Sequence, residues 1–394
     1  MTADRAYDIV LFGATGFTGA LTAEYLAAHA DPGTRWALAG RDRAKLRAVR
    51  DRLEKLDPAC ADLPLLHADT TDAASIEEIA NAARVVISTV GPYTEHGEPL
   101  VAACARAGTD YVDLTGEPTF VDRMYVKYHD DAVRSGARIV HACGFDSIPH
   151  DLGAYFTVKQ LPEGVPLHVE GFVRGRGAAS GGTLHTVVRI LGDATGMLRA
   201  ERERRRLERR PAGRTVRLSR RPVPKAKVGD GWTLPAPTLD PRIVIRSAAA
   251  LDCYGPDFTY GHYVAVKRLA GAVGLAAGAG ALLVLSSLPP TRALLLRLRA
   301  PGEGPSEEQR ARHWFSVTFV GEGGGRRVVT EVAGGDPGYG ETARMLGESA
   351  LCLVHDDLPD TAGQVTTAAA MGDALIDRLV RAGITFRVLS AGRG

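Results

Sequence analysis

Through the first 150 residues, short apolar runs alternate with stretches whose apolar positions recur at helical spacing. Tyr7-Asp8-Ile9-Val10-Leu11-Phe12 reads as a first strand that ends abruptly at Gly13, and an Ala/Leu-rich segment, Ala20 to Ala28, reads as a helix. Arg35–Gly40 is a second strand, Arg43–Leu56 a charged amphipathic helix, Leu63–Ala68 a short third strand and Ala73–Ala82 a third helix. The β-branched run Val85–Val90 and the segments Asp110–Leu114 and Arg138–Ala142 continue the strands. Leu100–Ala107 and Tyr125–Ser135 continue the helices. Strands alternating with helices predict an α/β fold with a doubly wound parallel sheet, whose ligand crevice lies beyond the carboxyl ends of the strands.

The alternation stops near Cys143. Gly144–Asp151 opens a new helix, with Ser147 at its N-cap and Pro149 in the first turn. Beyond Pro166 the runs take a period of two: His168–Arg174, Arg242–Arg246, Trp314–Val320 and Arg327–Val332 are expected strands. The last two flank a hairpin loop, Gly321–Gly325. Gly338–Leu353 and Ala368–Ala382 are expected helices, and Thr385–Leu389 a closing strand. These patterns divide the chain into a first domain at 1–150, an α+β substrate domain on an antiparallel sheet at 151–335, and a tail at 336–394 that packs back on the first domain.

The turn Gly13-Ala14-Thr15-Gly16-Phe17-Thr18-Gly19 carries the clearest chemistry. It stands between a strand and a helix, the context a Rossmann-type dinucleotide fingerprint requires. Gly13 turns the backbone off the strand, Gly16 leaves room for a pyrophosphate, and Gly19 lets the helix pack close to the sheet. The free N–H groups of the first helical turn face the phosphates. At the end of the second strand, Gly40 leaves space and Arg41 offers a fork for a 2′-phosphate where NAD enzymes carry an acid, so the expected cofactor is NADP(H). Asp42 would cap the next helix. Asp69 is placed to meet the adenine, and Thr89-Val90-Gly91-Pro92 to run beside the nicotinamide ribose.

Composition narrows the picture. A formal net charge of +2 on 394 residues gives no general attraction to nucleic acid. Cys60, Cys104, Cys143, Cys253 and Cys352 are scattered, which suits a reducing cytoplasm and offers no metal-ligand spacing. Polar residues lead from Met1 into the first strand, so no secretion leader is expected. The arginine-crowded stretch Arg199–Lys227 reads as a solvated helix and loop, with an anion-binding surface as the alternative. Leu269–Leu288 is uncharged and rich in Ala, Gly and Leu. It can be a buried or homodimer-interface helix, a segment resting on a membrane or lipid surface, or a span, and Gly274 and Gly278 permit close helix contact.

Several motifs in order resemble the saccharopine-dehydrogenase-like oxidoreductases, in particular their trans-acting enoyl reductase branch. They are Gly13–Gly19, Gly40-Arg41, Val90-Gly91-Pro92-Tyr93, Asp110–Glu117, Cys143–Pro149, Ser180-Gly181-Gly182-Thr183, Gly335–Tyr339 and Ala369–Leu375. The resemblance spans nearly the whole chain. It implies an NADPH-dependent reductase of the activated C=C bond of an enoyl thioester, on a polyketide or lipid-like acyl chain that a carrier protein can hold. The enzyme would be cytoplasmic, or peripheral at the membrane. A protein acid must protonate the α-carbon. Tyr93 and His150 lead the candidate catalytic residues, with His96, Asp113, Glu117 and Asp146 behind them. Ser180–Thr183, turning into an expected helix Leu184–Leu191, could bind the thioester oxygen. The competing readings are a saccharopine-type imine reductase or amino-acid dehydrogenase, and a lipid-surface scaffold that retains NADP(H).

Overall fold

The alternation in the first part of the chain folds as β1 (Tyr7–Phe12), α1 (Phe17–His29), β2 (Trp36–Gly40), α2 (Arg43–Leu53), β3 (Leu65–His67), α3 (Ala73–Ala82), β4 (Ala83–Ser88), two helices α4 (Tyr93–His96) and α5 (Glu98–Ala107), β5 (Asp110–Asp113), α6 (Pro118–Ser135) and β6 (Arg138–Val140). The structure is a computed structural model that describes residues 5–177, 194–209, 211–219, 225–226, 231–236, 238–287, 290–291, 295 and 305–393. Ser180–Thr183 and the helix expected after them lie outside the described residues. All pairings in the first sheet are parallel, in the order β3-β2-β1-β4-β5-β6 with one later strand outside β6. The order reverses between β1 and β4, the place where such sheets bind ligands. Both faces are covered. Ile9 and Leu11 enter one apolar core while Val10 and Phe12 enter the other, and all four are buried.

From α7 (Ile148–Val158) the chain crosses to the second sheet through β7 (Leu167–Arg176), α8 (Ala194–Leu207), β8 (Thr215–Leu218), β9 (Trp232–Pro235), α9 (Asp240–Ala250), β10 (Asp257–Val266), α10 (Leu269–Ser287), α11 (Glu307–Arg310), β11 (Trp314–Gly323) and β12 (Arg326–Gly334). It finishes with α12 (Gly340–His355), β13 (Gly363–Val365), α13 (Thr367–Ala370), α14 (Gly372–Arg381) and β14 (Thr385–Arg393). The second sheet runs β14-β12-β11-β7-β10-β8, with β9 also on β10. It is mixed rather than antiparallel, because β10 lies parallel to both β7 and β8. The tail divides between the two sheets. Helix α12 packs on α1, β1 and β4, and β13 extends the first sheet beside β6. The closing strand β14 pairs with β12, on the second sheet instead of the first domain.

Two further expectations are corrected. Arg242–Arg246 is not a strand; it lies inside α9. Asp240-Pro241 starts that helix, and its inner residues Ile243, Val244, Arg246 and Ser247 are buried. The arginines of 199–210 are not all solvated either. Arg204 is 4% exposed. Its Nε donates to Asp122 Oδ1 of α6 at 2.6 Å, and its Nη1 pairs with Glu208. Arg242 reaches the other Asp122 oxygen at 3.4 Å, and Arg246 reaches Glu208 at 3.0 Å. Helices α6, α8 and α9 are therefore joined by a buried ionic network that spans the two domains. Removing one partner leaves an uncompensated buried charge, so Asp122→Ala should lower the unfolding free energy by about 3–5 kcal/mol. Urea denaturation measures this, and an unchanged midpoint would contradict the account.

Candidate functional site

The fingerprint turn is held by contacts only glycine allows. Gly13 has φ +95°, and a Cβ there would stand 2.6 Å from Thr89 Oγ1. A Cβ on Gly19 would stand 2.2 Å from the Gly13 carbonyl oxygen. Thr89 Oγ1 donates to the Phe12 carbonyl at 3.1 Å, and the Gly13 N–H donates to Ala39 O at 3.0 Å. The ends of β1, β2 and β4 and the start of α1 thus converge at contact distance. Ala14 is buried, whereas Thr15 and Gly16 are exposed at the tip. No side chain caps α1 at Gly16, so its first N–H groups, including those of Phe17 and Thr18, can receive a pyrophosphate.

The end of β2 supplies the second half of the cofactor test. Gly40 is followed by an exposed Arg41. Asp42 turns away to cap α2, where its Oδ1 accepts from Ala44 N and Lys45 N, each at 3.0 Å. The acid that could have selected a free ribose hydroxyl is thereby occupied, and Arg41 is left for a 2′-phosphate. Asp69 makes an Asx turn, its Oδ1 accepting from Thr71 N and Thr71 Oγ1 at 2.9 Å each. Those bonds hold its carboxyl below the usual range. Asp72, not Asp69, caps α3. The glycine turn and this cationic rim fit NADP(H).

At the ends of β4 to β6, carboxylates set the backbone. Val90, Gly91 and Pro92 follow Thr89, with Gly91 exposed at the mouth of the crevice. Glu117 accepts from the N–H groups of Tyr93 and Thr94 at 2.9 Å each, fixing the start of α4. Asp113 accepts from Thr115 N at 3.1 Å, Ala142 N at 2.9 Å and the Tyr111 hydroxyl at 3.0 Å, and lies 2.7 Å from His141 Nδ1. Ala142 has φ +62°, a strained conformation for a side-chain-bearing residue, and its Asp113 bond holds it there. That kink follows the end of β6 at Val140 and leads into the Cys143–Ser147 turn. Tyr93 is 4% exposed, its hydroxyl donates to Ser88 O at 2.9 Å, and burial raises its pKa. Tyr93 is thus engaged below the crevice floor. His96 stands partly exposed beside Glu95.

The far wall comes from the second half of the chain. Phe145 N donates to Thr342 Oγ1 at 3.2 Å, and the Phe17 ring meets Tyr339 edge-on at 4.7 Å. Asp336 holds this Gly335–Thr342 segment, accepting from Tyr339 N and Gly340 N at 3.1 Å each. Ser147 stands at the start of α7, but its hydroxyl makes no capping bond. Asp146 is exposed, and the protein packed around it together with the charge of Asp240 raises its pKa to about 7. Behind it lie His150, Asp240 and His262, all buried. Asp240 Oδ1 is 3.4 Å from His150 Nε2, and Asp240 Oδ2 is 3.7 Å from His262 Nε2. The two rings meet edge to face at 4.9 Å, and Tyr260 Oη is 3.1 Å from His262 Nδ1. Burial lowers the pKa of His150 to about 3 and of His262 to about 4, and raises that of Asp240 to about 6. His150 therefore carries no charge at neutral pH. The donor types are those a divalent ion uses. With Asp240 also bonded by Thr238, we read the three as a polar support behind Asp146. Asp240 and His262 were not singled out from the sequence, because distant elements bring them together, whereas Tyr339 belongs to the Gly335–Tyr339 motif that was.

Comparison with known proteins agrees with this geometry. Residues 9–140 match the family described as the saccharopine dehydrogenase NADP binding domain. The chain is 40% identical over 426 residues to the trans-acting enoyl reductase of Mycobacterium ulcerans, covering 100% of this chain and 99% of that one. It is 40% identical over 418 residues to the trans-acting enoyl reductase of Mycobacterium tuberculosis, covering 97% of each. Among solved structures, apo saccharopine dehydrogenase (L-Glu forming) from Saccharomyces cerevisiae superposes with a TM-score of 0.58 over 98% of this chain and 100% of that one, at 14% identity, a likeness of fold.

Replacing the guanidinium should remove a charge-assisted contact of about 1.5–3 kcal/mol, so Arg41→Ala should raise the Michaelis constant for NADPH by about 10- to 100-fold. The constant for NADH should change little. Equal effects on both cofactors would contradict the assignment.

Proposed function

Because this chain belongs to the trans-acting enoyl reductase family of saccharopine dehydrogenase-like proteins, we propose that it is an NADPH-dependent reductase of an enoyl thioester, carried on a polyketide or lipid-like acyl chain. The observation that carries the reading is the glycine turn at the start of α1 beside the exposed Arg41, with Phe17 of that turn against Tyr339 and the neighbouring Thr342 bonded to Phe145, next to the exposed acid Asp146. Bound NADPH supplies a hydride to the β-carbon. The protein must then orient the thioester and deliver a proton to the α-carbon.

Asp146 is the group that meets the demand for an acid. It is exposed just past β6, in the segment that follows the Ala142 kink. Its raised pKa keeps its proton near neutrality. Tyr93 and His150, the earlier candidates, are less suited. The Tyr93 proton is committed to Ser88 O, and His150 is a neutral ring sealed behind the crevice. In the balanced step, hydride forms the β C–H bond, the Asp146 proton forms the α C–H bond, and the C=C π pair is consumed. Asp146 is left as a carboxylate that solvent water reprotonates. An acyl chain delivered by a carrier protein would approach along the Gly335–Thr342 side, where Phe17 and Phe145 keep partly exposed apolar surface.

The test assays NADPH oxidation against enoyl thioesters on coenzyme A or a carrier, and separately against α-keto acids with amines. Turnover with the enoyl panel alone is expected; turnover confined to the second panel would replace this reading with imine reduction. Because Asp146 acts in its protonated form, kcat should fall as pH rises through about 7. Asp146→Asn should lower kcat by about 10²- to 10⁴-fold and abolish that limb, with the NADPH constant unchanged. Full turnover by Asp146→Asn would remove Asp146 from the mechanism.

A further inference from the structure

Helix α10 contains no charged residue from Leu269 to Ser287. Only 11% of its Leu269–Ser286 stretch is buried. Leu275 is 46% exposed and Val284 62% exposed. Nine positions apart on a helix, they point to opposite sides. The helix is thus apolar all round, and among the described residues it touches the rest of the chain mainly through β9 and β10, with Ala272 and Ser286 its buried positions.

A helix of this kind needs a cover, and its shape selects the cover. A second copy docking through Gly274, Gly278 and Gly280 would bury one face and leave the opposite one in water. Hydrocarbon covers every face at once. Its N-terminal end carries the collar expected at headgroup level: Lys267 and Arg268 are exposed, and Trp232 pairs with Val266 with Lys225 lying 5.5 Å over its ring. The flanking strands fix the sidedness. Strand β10 ends at Val266 before the helix and β11 begins at Trp314 after it, and both belong to the second sheet, each pairing with β7. A one-way crossing would separate them across the membrane, so that reading fails.

We propose that α10 is a monotopic lipid anchor: it buries in the hydrocarbon of an anionic bilayer from the one side on which both domains stand, with Lys267, Arg268, Lys225 and Trp232 at the headgroups. The proposal does not depend on the enoyl reductase reading. The enzyme would be held where lipid-like acyl chains are made or consumed.

The test is flotation of the full-length protein with vesicles of phosphatidylcholine and phosphatidylglycerol. Wild type should float and stay bound in 1 M salt, as a hydrophobic anchor does. Leu275→Glu with Val284→Glu should lower the vesicle-bound fraction at least tenfold, while NADPH affinity and turnover of a short soluble enoyl thioester stay unchanged. Unchanged NADPH affinity also shows that the variant is folded. Lys267→Ser with Arg268→Ser should weaken binding several-fold on anionic vesicles and not on neutral ones. Wild type that stays monomeric and unbound without detergent would overturn the proposal. So would a dimer that the glutamate variant dissociates while neither protein floats.

Discussion

The closeness of Gly19 to the Gly13 carbonyl is the constraint from which the site follows. No side chain fits between them, since a Cβ would come within 2.2 Å of that oxygen. Helix α1 can therefore press against the end of β1, and its uncapped N-terminus points into the gap between β1 and β4. The parallel sheet needs both faces covered to bury strands as apolar as Ile9–Phe12. Once it is covered, the crevice at its carboxyl edge is the polar opening toward which the strand-end loops turn. Arg41 at one end and Asp146 at the other lie on such loops.

The second half of the chain completes the site instead of merely flanking it. Asp113 ties β5 to the kink at Ala142, and the kink carries Phe145 and Asp146 to the far wall. Asp336 holds Tyr339 where it meets Phe17 of the fingerprint turn. Asp151 of α7 accepts from Thr367 Oγ1 at 2.7 Å and Ala368 N at 2.9 Å, which fastens the C-terminal segment to the helix joining the two sheets. The ionic network of Asp122, Arg204, Glu208, Arg242 and Arg246 fixes the domains beside each other. The site is assembled by ties from both halves, and each tie centres on a buried or half-buried carboxylate with named donors.

The first domain was legible because period and punctuation agree there. Apolar runs end at glycines, helices start at acids such as Asp42 and Asp72, and Gly40-Arg41 sits at the strand end. Some readings failed on local flanks and others for want of distant partners. Arg242-Ile243-Val244-Ile245-Arg246 alternates like a strand, yet Asp240-Pro241 ahead of it and the alanines behind it make a helix. The burial of Arg204 depends on Asp122, far away in the chain, and local charge patterning does not show it. Strands β8, β9, β10 and β13 were passed over because β8, β9 and β13 are short, and β10 is broken by Gly261 and His262. The support of His150, Asp240 and His262 comes from three elements that meet only in the folded chain.

The central claim is that one crevice brings NADPH and an enoyl thioester together for hydride transfer with proton delivery from the protein. Its most direct measurement follows the label from NADPH carrying deuterium at the transferable C4 position, in a single turnover with an enoyl thioester in light water. The account predicts a saturated product with one deuterium at the β-carbon and solvent hydrogen at the α-carbon. A product without deuterium, or with deuterium at the α-carbon, would contradict it.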